Sequence, residues 1–202
     1  MCMENGQSGL ESLKTRIRSL ININDTDLQA IVSRFEYRHT AKNDFLLKEG
    51  GRCDFWGFVD SGLMRVYSHI NTGEEYTNGF AKEGGFITES MSFFTQSASL
   101  ENFIAIEDTT IVCISAIKLK KLYEDFPVFE RFSRILYETR MVEIKARILY
   151  RVQLDAQSRY LQFVKTQPEL AKRVPLKYIA SYLSITDSTL SRIRRKTLHI
   201  SY

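Results

Sequence analysis

The sequence predicts an α+β fold in which an antiparallel β-roll of the jelly-roll type is followed by a long helix and a C-terminal helix-turn-helix. Three observations support this fold class. Short β-rich runs fill the first half of the chain, a helical pattern without Gly or Pro follows Pro127, and the C-terminal segment contains two short helical patterns. We expect a β-domain over residues 1–125, a connecting helix over 126–153 and a helix-turn-helix module over 154–202.

The N-terminal residues of the β-domain are predicted to be helical. Apolar residues recur at helical spacing between Leu10 and Phe35, and the sequence Asn-Asp-Thr-Asp at 24–27 is a typical start signal for a second short helix. No charged segment followed by an apolar stretch precedes them, so we expect no secretory signal and a cytoplasmic protein. The chain contains no apolar run of the length that crosses a membrane, so we expect no membrane partner.

The β-rich region extends from Tyr37 to about Ile117. Gly, Asn and Asp separate its short runs, and Asn-Thr-Gly at 71–73 is a hairpin signal between two of them. Many short strands at regular spacing favour an antiparallel barrel or jelly-roll. The predicted strand runs are residues 45–47, 55–59, 63–67, 75–80, 103–106 and 110–114.

The longest helical pattern runs from Pro127 to about Gln153, which is about 40 Å at 1.5 Å per residue. It carries two apolar stripes, one with Val128, Phe132, Ile135, Val142 and Leu149, the other with Tyr137, Met141, Ile144, Ile148 and Val152. A helix with two apolar faces needs two partners, so we expect one face on the β-domain and one on a second subunit. We assign the dimer contact to Phe132, Ile135, Val142 and Leu149. A single buried helix in a monomer is the alternative.

The segment 175–196 has the layout of a helix-turn-helix. The apolar residues expected to fix the crossing of its two helices are Ile179, Ala180, Leu183, Ile185, Leu190 and Ile193. Thr186 can cap the first amides of the second helix. Ser184 stands at a turn position where the pattern favours Gly, and we expect some backbone strain there.

Hydrogen-bonding and cationic side chains remain exposed on the second helix and near its start, where they suit base edges and phosphates. The candidate DNA-binding residues are Lys177, Thr186, Asp187, Ser188, Thr189, Ser191, Arg192, Arg194, Arg195 and Lys196. Residues 156–202 contain nine Lys or Arg against two acidic residues, whereas residues 1–155 contain nineteen against twenty-two. Segregated positive charge of this kind is typical of a nucleic-acid-binding module. A solvated face of an ordinary helical hairpin is the alternative.

Cysteine and histidine are too dispersed for metal or catalytic chemistry. The residues are Cys2, Cys53, Cys113, His39, His69 and His199. Their spacing fits neither a disulfide framework nor a zinc or iron-sulfur site, and a cupin-type metal enzyme would need clustered His and Glu ligands. We therefore expect no metal, no cofactor and no catalytic residues, and the cupin-type enzyme is a weaker alternative.

Several loose motifs stand in a fixed order before the long helix and the basic module. They are Phe-Leu-Leu-Lys-Glu-Gly at 45–50, Phe-Val-Asp-Ser-Gly-Leu-Met-Arg-Val-Tyr at 58–67 and Lys-Glu-Gly-Gly-Phe-Ile at 82–87. With them the chain resembles the cyclic-AMP receptor protein (Crp/Fnr) family of bacterial transcription regulators over nearly its whole length. The resemblance implies a cyclic-nucleotide-binding-like β-roll, a dimerisation helix, a winged helix-turn-helix, a homodimer on near-palindromic double-stranded DNA, and contact with RNA polymerase.

The effector site departs from this family. Members that bind cyclic nucleotides carry a Gly-Glu pair and, downstream, an Arg-Ser/Thr-Ala run, where this chain has Thr88-Glu89 and Ser99-Leu100-Glu101. Without the arginine a buried phosphate loses charge-assisted hydrogen bonds of roughly 1.5 to 3 kcal/mol. We therefore expect no cyclic nucleotide bound in the usual mode, and Glu89, Ser99 and Leu100 are the candidate pocket residues for an unknown small-molecule effector. A solvated loop carboxylate is an equal alternative for Glu89. Cyclic AMP or a related nucleotide bound through a divergent site is the alternative, and a regulatory module of a kinase or channel is disfavoured.

The second helix of the helix-turn-helix, which reads DNA in this family and is called the recognition helix, departs from the family as well. The family's Arg-Glu-x-x-x-Arg corresponds to residues 187–192, where Arg192 matches but the first Arg and the Glu do not. We expect Arg192 to bind guanine or a phosphate, and Asp187 to complement the helix dipole or to accept from cytosine. Six residues follow Lys196, so we expect a shortened wing.

Overall fold

The computed structural model describes residues 5–198, with side chains over residues 9–196. This part of the chain divides into two compact units. The first contains the described residues up to 68 together with Gly79–Glu138, and the second contains His69–Asn78 with the described residues from 139 onward. Cys2, His199 and the expected wing lie outside the described residues.

The elements follow the predicted order of β-roll, long helix and helix-turn-helix. The described helices are α1 (Asn5–Arg18), α2 (Asp25–Val32), α3 (Ser90–Thr95), α4 (Ala116–Asp125), α5 (Pro127–Gln153), α6 (Ala156–Thr166), α7 (Pro168–Arg173), α8 (Leu176–Tyr182) and α9 (Asp187–Leu198). The described strands are β1 (Glu36–Thr40), β2 (Phe45–Leu47), β3 (Trp56–Ser61), β4 (Leu63–His69), β5 (Glu75–Lys82), β6 (Phe86–Ile87), β7 (Asn102–Ala105) and β8 (Thr109–Ile114). The predicted α+β fold class is confirmed, and every predicted strand run contains a strand.

The strands form two four-stranded sheets with the orders β1-β8-β3-β6 and β2-β7-β4-β5. The β1–β8, β3–β8 and β4–β7 pairs are antiparallel. Gly62 turns the chain between β3 and β4 with a φ of 94°, and a Cβ there would lie 2.3 Å from the carbonyl oxygen of Asp108. Only Gly fits this close approach, which explains the glycine in the motif at 58–67.

The core of the first unit is an aromatic cluster to which the start of α5 contributes. Trp56 stacks on Phe86 with ring centroids 4.6 Å apart and meets Phe129 and Phe132 edge-on. Both phenylalanines of α5 are fully buried, and Ile135 packs against the same core. The ring of Phe132 is enclosed by its own chain and Ile135 packs partly against the same core, so the structure gives neither residue a surface for the dimer contact assigned to it above.

The second half of α5 presents apolar side chains to solvent. These residues are Met141, Val142, Ile144, Ile148, Leu149 and Val152, and we call them the α5 seam. They span roughly 160° of the helix surface at 100° per residue. Within the described residues, no helix combines the length and apolarity needed to cross a membrane.

Candidate nucleic-acid interface and effector cassette

The helix-turn-helix has its own small core in the second unit. Its buried residues are Phe163, Leu170, Val174, Ile179, Ala180, Leu183, Leu190 and Ile193. Ala180 is fully buried at the crossing of α8 and α9, where a larger side chain would separate the helices. Ser184 adopts the left-handed conformation with a φ of 55°, as the Gly-favouring turn position requires.

The first turn of α9 is capped as the sequence predicted. The hydroxyl of Thr186 accepts a hydrogen bond from the Thr189 amide at 3.2 Å and lies 3.0 Å from the Ser188 hydroxyl. It also donates to the Thr189 hydroxyl at 2.9 Å. Asp187 is the first residue of α9 and places a carboxylate at the positive end of the helix dipole. These side chains therefore form one ordered polar group at the helix start.

Most of the predicted DNA-binding side chains are exposed. Leu190 and Ile193 are buried, and the opposite side of α9 is exposed or half-buried. The exposed candidates are Lys177, Thr186, Asp187, Ser188, Ser191, Arg192, Arg195 and Lys196, while Thr189 and Arg194 are half-buried. Lys177 lies on α8, with its Nζ 4.8 Å from the centre of the Tyr178 ring. The surface is thus cationic and rich in hydrogen-bond donors.

Arg159 on α6 fixes the turn of the helix-turn-helix. Its Nε donates to the carbonyl of Leu183 at 3.2 Å, and its second guanidinium nitrogen donates to the carbonyl of Leu154 at 2.7 Å. Asp155 caps α6 by accepting from the Ser158 amide at 2.7 Å, and this hydrogen bond lowers the pKa of Asp155. Sequence reasoning did not identify Arg159, because its partners are carbonyl groups at two distant helix ends.

In the first unit, Glu89 serves as the N-cap of α3. Its two carboxylate oxygens accept from the amides of Met91 at 3.1 Å and Ser92 at 2.7 Å, and its side chain is buried. A carboxylate engaged in this way is already satisfied by its own helix. The structure therefore provides a local structural role for the residue that the sequence suggested as an effector contact.

The other two predicted pocket residues behave differently. Ser99 is buried, and its hydroxyl donates to the carbonyl of Glu101 at 2.8 Å and accepts from the Glu101 amide at 3.1 Å. Its backbone pairs with Gly50 and Gly51. Leu100 is 59% exposed and therefore does not line an enclosed pocket. The prediction that these residues form one pocket with Glu89 is not supported by their contacts or exposure.

Two free thiols lie in the same unit, and both are buried. The Cys53 Sγ donates to the Phe55 carbonyl at 3.3 Å, and burial raises its pKa. Burial also raises the pKa of Cys113 to about 11. Both thiols are therefore protonated at neutral pH and unreactive as nucleophiles. Within the described residues, no group of three or more His, Cys, Asp or Glu side chains could hold a metal ion.

Arg65 is a buried cation that sequence reasoning missed. It lies on β4 with 2% of its surface exposed, and its guanidinium carbon is 4.4 Å from the centre of the Tyr67 ring. Alternation along the strand places it on one face with Leu63 and Tyr67, which are both buried. This alternation of side chains along β4 is the sequence signal that could have predicted the burial of Arg65. Charged residues are rarely buried to this degree unless they are paired.

Comparisons with known proteins bear on both sites. Residues 37–126 match the family model described as the cyclic nucleotide-binding domain. No curated protein sequence matches the chain significantly.

Solved structures resemble the chain over most of its length. A CooA variant from Carboxydothermus hydrogenoformans has a TM-score of 0.68 at 19% identity, covering 92% of this chain and 88% of its own. A transcriptional regulator of the Crp/Fnr family from Eubacterium rectale has a TM-score of 0.66 at 19% identity, covering 86% and 83%. The c-di-GMP-responsive global regulator CLP of Xanthomonas campestris has a TM-score of 0.65 at 16% identity, covering 87% and 92%.

The chain thus combines a β-roll domain, a long helix and a helix-turn-helix module. Residues 37–126 match the cyclic nucleotide-binding domain model, and most of the chain shares the fold of solved structures that include a Crp/Fnr-family regulator. The resemblance inferred from the sequence motifs is confirmed.

Proposed function

We propose that this chain is a DNA-binding transcription regulator of the Crp/Fnr type rather than an enzyme. It acts as a homodimer on a near-palindromic operator. Its effector is not a cyclic nucleotide held by the family's Gly-Glu pair and Arg-Ser/Thr-Ala run. The division into a β-domain (1–125), a dimerisation helix (126–153) and a DNA-binding domain (154–202) is part of this proposal, as is a contact with RNA polymerase.

The exposed face of α9 carries the proposal. Arg192, Arg195 and Lys196 are exposed on the side opposite Leu190 and Ile193, on a helix that a capped turn and a packed α8 hold in place. In helix-turn-helix proteins the second helix enters the major groove and its side chains contact base edges. Cationic side chains on this surface fit that role better than they fit an ordinary solvated face.

Equilibrium binding to DNA tests this proposal. An operator is selected from a random duplex library by the full-length protein, and its affinity is compared with that of a scrambled duplex at two salt concentrations. A regulator prefers the selected duplex and binds it less tightly as salt is added. The logarithm of its binding constant falls against the logarithm of the salt concentration with a slope of roughly 0.9 per phosphate contact. Binding that shows neither sequence preference nor salt dependence contradicts the proposal.

The α5 seam supports the homodimer. Its six apolar side chains are partly or largely exposed. A two-fold partner presents the same seam in return, so each copy covers the other. Such a dimer places two recognition helices on half-sites about 34 Å apart. Here the seam takes the place of the contact that the sequence assigned to Phe132 and Ile135.

The effector proposal follows from the cassette. Glu89 caps its own helix, and Ser99 stands where an arginine holds the phosphate in cyclic-nucleotide-binding members. Arg65 supports a second candidate, a nucleotide effector bound through a divergent site, because it is a buried cation in the same unit. Calorimetric titration of the wild type and of Arg65→Gln with cyclic AMP and cyclic di-GMP decides between the two. Binding that is lost in the variant favours the second candidate.

A further inference from the structure

A hairpin tip contacts the first helix of the helix-turn-helix. This tip, residues 69–78, joins β4 to β5 and belongs to the second compact unit. The Ser181 hydroxyl on α8 accepts from the Thr77 amide at 2.9 Å and donates to the Glu75 carbonyl at 3.1 Å. Because β5 stands at the end of its sheet, one hydroxyl satisfies two backbone groups of an edge strand.

A second contact lies at the turn of the helix-turn-helix. The Ser184 hydroxyl is 3.3 Å from the Tyr76 hydroxyl and accepts from the Arg151 guanidinium at 2.9 Å. The guanidinium of Arg151 also lies over the Tyr76 ring, 4.8 Å from its centre. The backbone of Ser184 is left-handed, a conformation that Gly adopts more easily, but Gly has no hydroxyl for this contact. Ser184 therefore makes a side-chain hydrogen bond that Gly, the residue favoured at this turn position, could not make.

Arg147 completes the contact from α5. It donates to the carbonyl of Asn78 and lies over the Tyr182 ring, 5.2 Å from its centre. Arg147 and Arg151 are one turn apart and therefore point to the same side of α5. We call the contacts of Arg147, Arg151, Ser181 and Ser184 with the tip the hairpin latch.

The hairpin latch covers part of the surface that a helix-turn-helix module turns toward DNA. In helix-turn-helix complexes the first helix crosses the DNA backbone. Here the hairpin contacts Ser181 on that helix and Ser184 in the turn that follows it, so the hairpin and a DNA duplex compete for the same surface. The tip also carries Glu74 and Glu75, both exposed, and carboxylates beside this helix repel phosphates. A latched module therefore has a lower affinity for DNA than a released one.

We propose that the hairpin latch is an autoinhibitory contact. It holds the helix-turn-helix in a low-affinity arrangement, and a change that withdraws the hairpin raises DNA affinity. The proposal rests on the DNA-binding function proposed above. It requires an equilibrium between latched and released molecules, which variants can shift without altering the recognition face.

The release variant is Ser181→Ala combined with Tyr76→Phe. These changes remove the hydroxyl contacts to the hairpin and the turn but keep the aromatic ring beneath Arg151, and Ala is a good helix former on α8. Affinity is measured by fluorescence anisotropy with the selected operator and a scrambled duplex, and hydrogen exchange is followed at amides 69–78. The variant is expected to bind the operator roughly tenfold more tightly, which corresponds to about 1.4 kcal/mol, with faster exchange in the hairpin.

The matched control is Ser33→Ala with Tyr150→Phe, which makes the same substitutions at exposed positions outside the latch. We expect it to match the wild type in both measurements. Faster hairpin exchange with unchanged or weaker operator binding overturns the latch and leaves the DNA-binding function intact. Absence of DNA binding in the wild type and in all variants contradicts the proposed function itself, and the latch with it. A second variant, Glu74→Gln with Glu75→Gln, is expected to raise affinity, and to raise it most at low salt, where the repulsion of phosphates by these carboxylates is least screened.

Discussion

Replacing Ile148 by Glu in the α5 seam is expected to convert the protein into a monomer. Ile148 is 49% exposed, so a partner helix can cover about half of its surface. Full burial of an isoleucine is worth about 1.5 to 3 kcal/mol, and half of this is lost in each of the two copies. The two introduced carboxylates must also be desolvated near each other across the two-fold axis. We expect the dimer to weaken by about 3 to 4 kcal/mol, which is more than a hundredfold in Kd.

Sedimentation equilibrium over a dilution series measures this effect. The matched control is Ile117→Glu, which makes the same substitution at an isoleucine of α4 that is 85% exposed and lies outside the seam. Far-ultraviolet circular dichroism verifies that both variants are folded, and operator binding is measured in parallel. The control should remain dimeric and bind the operator, whereas Ile148→Glu should lose both properties together.

Two results refute this reasoning. One is an Ile148→Glu protein with the mass and dilution behaviour of the wild type. The other is a wild-type protein that is monomeric at tens of micromolar, because the α5 seam is then not a dimer interface. A monomeric variant that bound the operator with wild-type affinity would support the dimer interface. It would contradict the proposal that operator binding requires the dimer.

Three further outcomes are expected. Titration calorimetry with cyclic AMP and cyclic GMP should show no binding at physiological concentration, because Glu89 caps α3 and Ser99 supplies no cation. Arg192→Ala should remove about 1 to 3 kcal/mol of discrimination at one base pair per half-site, whereas Arg195→Ala should weaken binding to all duplexes and lower the salt slope. Because the raised pKa of Cys113 favours the protonated thiol in the fold, its contribution to stability is complete below pH 9 and lost as the pH rises to about 11. Urea titrations of Cys113→Ala should therefore show an alkaline loss smaller by about 2 to 3 kcal/mol.

Local signals in the sequence predicted the elements that depend on local contacts. The Asn24 side chain caps α2 by accepting from the Asp27 amide, and Thr186 caps α9 in the same manner. Gly73 has a positive φ in the predicted hairpin turn. Each of these features is set by interactions within a few residues, so the amino-acid pattern is sufficient to identify it.

Elements that depend on distant partners were missed or misassigned. Strand β1 (Glu36–Thr40) is mostly polar and becomes a strand because it pairs with β8 at the edge of a sheet. The two-residue strand β6 is too short for any pattern. Helical periodicity grouped Phe132 with Val142, but the first is enclosed by the β-domain core and the second is exposed. Periodicity gives the angle of a side chain around a helix and does not identify what lies opposite.

The effector cassette shows a different limit. The family pattern made Glu89 a candidate ligand contact, with a solvated loop carboxylate as the alternative, and in the structure it caps a six-residue helix. Glu is not among the residues preferred at a helix N-cap, so N-cap preferences do not predict that Glu89 caps α3. The role of such a carboxylate is decided by whether the amides of Met91 and Ser92 point toward it. Only three-dimensional structure provides that information.

The side of α5 that packs into the β-domain changes character along the helix. Phe129 and Leu136 occupy this side in the first half, and residues spaced by four or seven positions continue it with Arg140, Arg147 and Arg151. Phe129 belongs to the aromatic core, whereas Arg147 and Arg151 belong to the hairpin latch. An uninterrupted helix therefore supplies side chains both to the aromatic core of the first unit and to the hairpin latch. A change in that core that rotated or shifted α5 as a rigid helix would displace the two arginines as well, because both sets of side chains are carried by one helix.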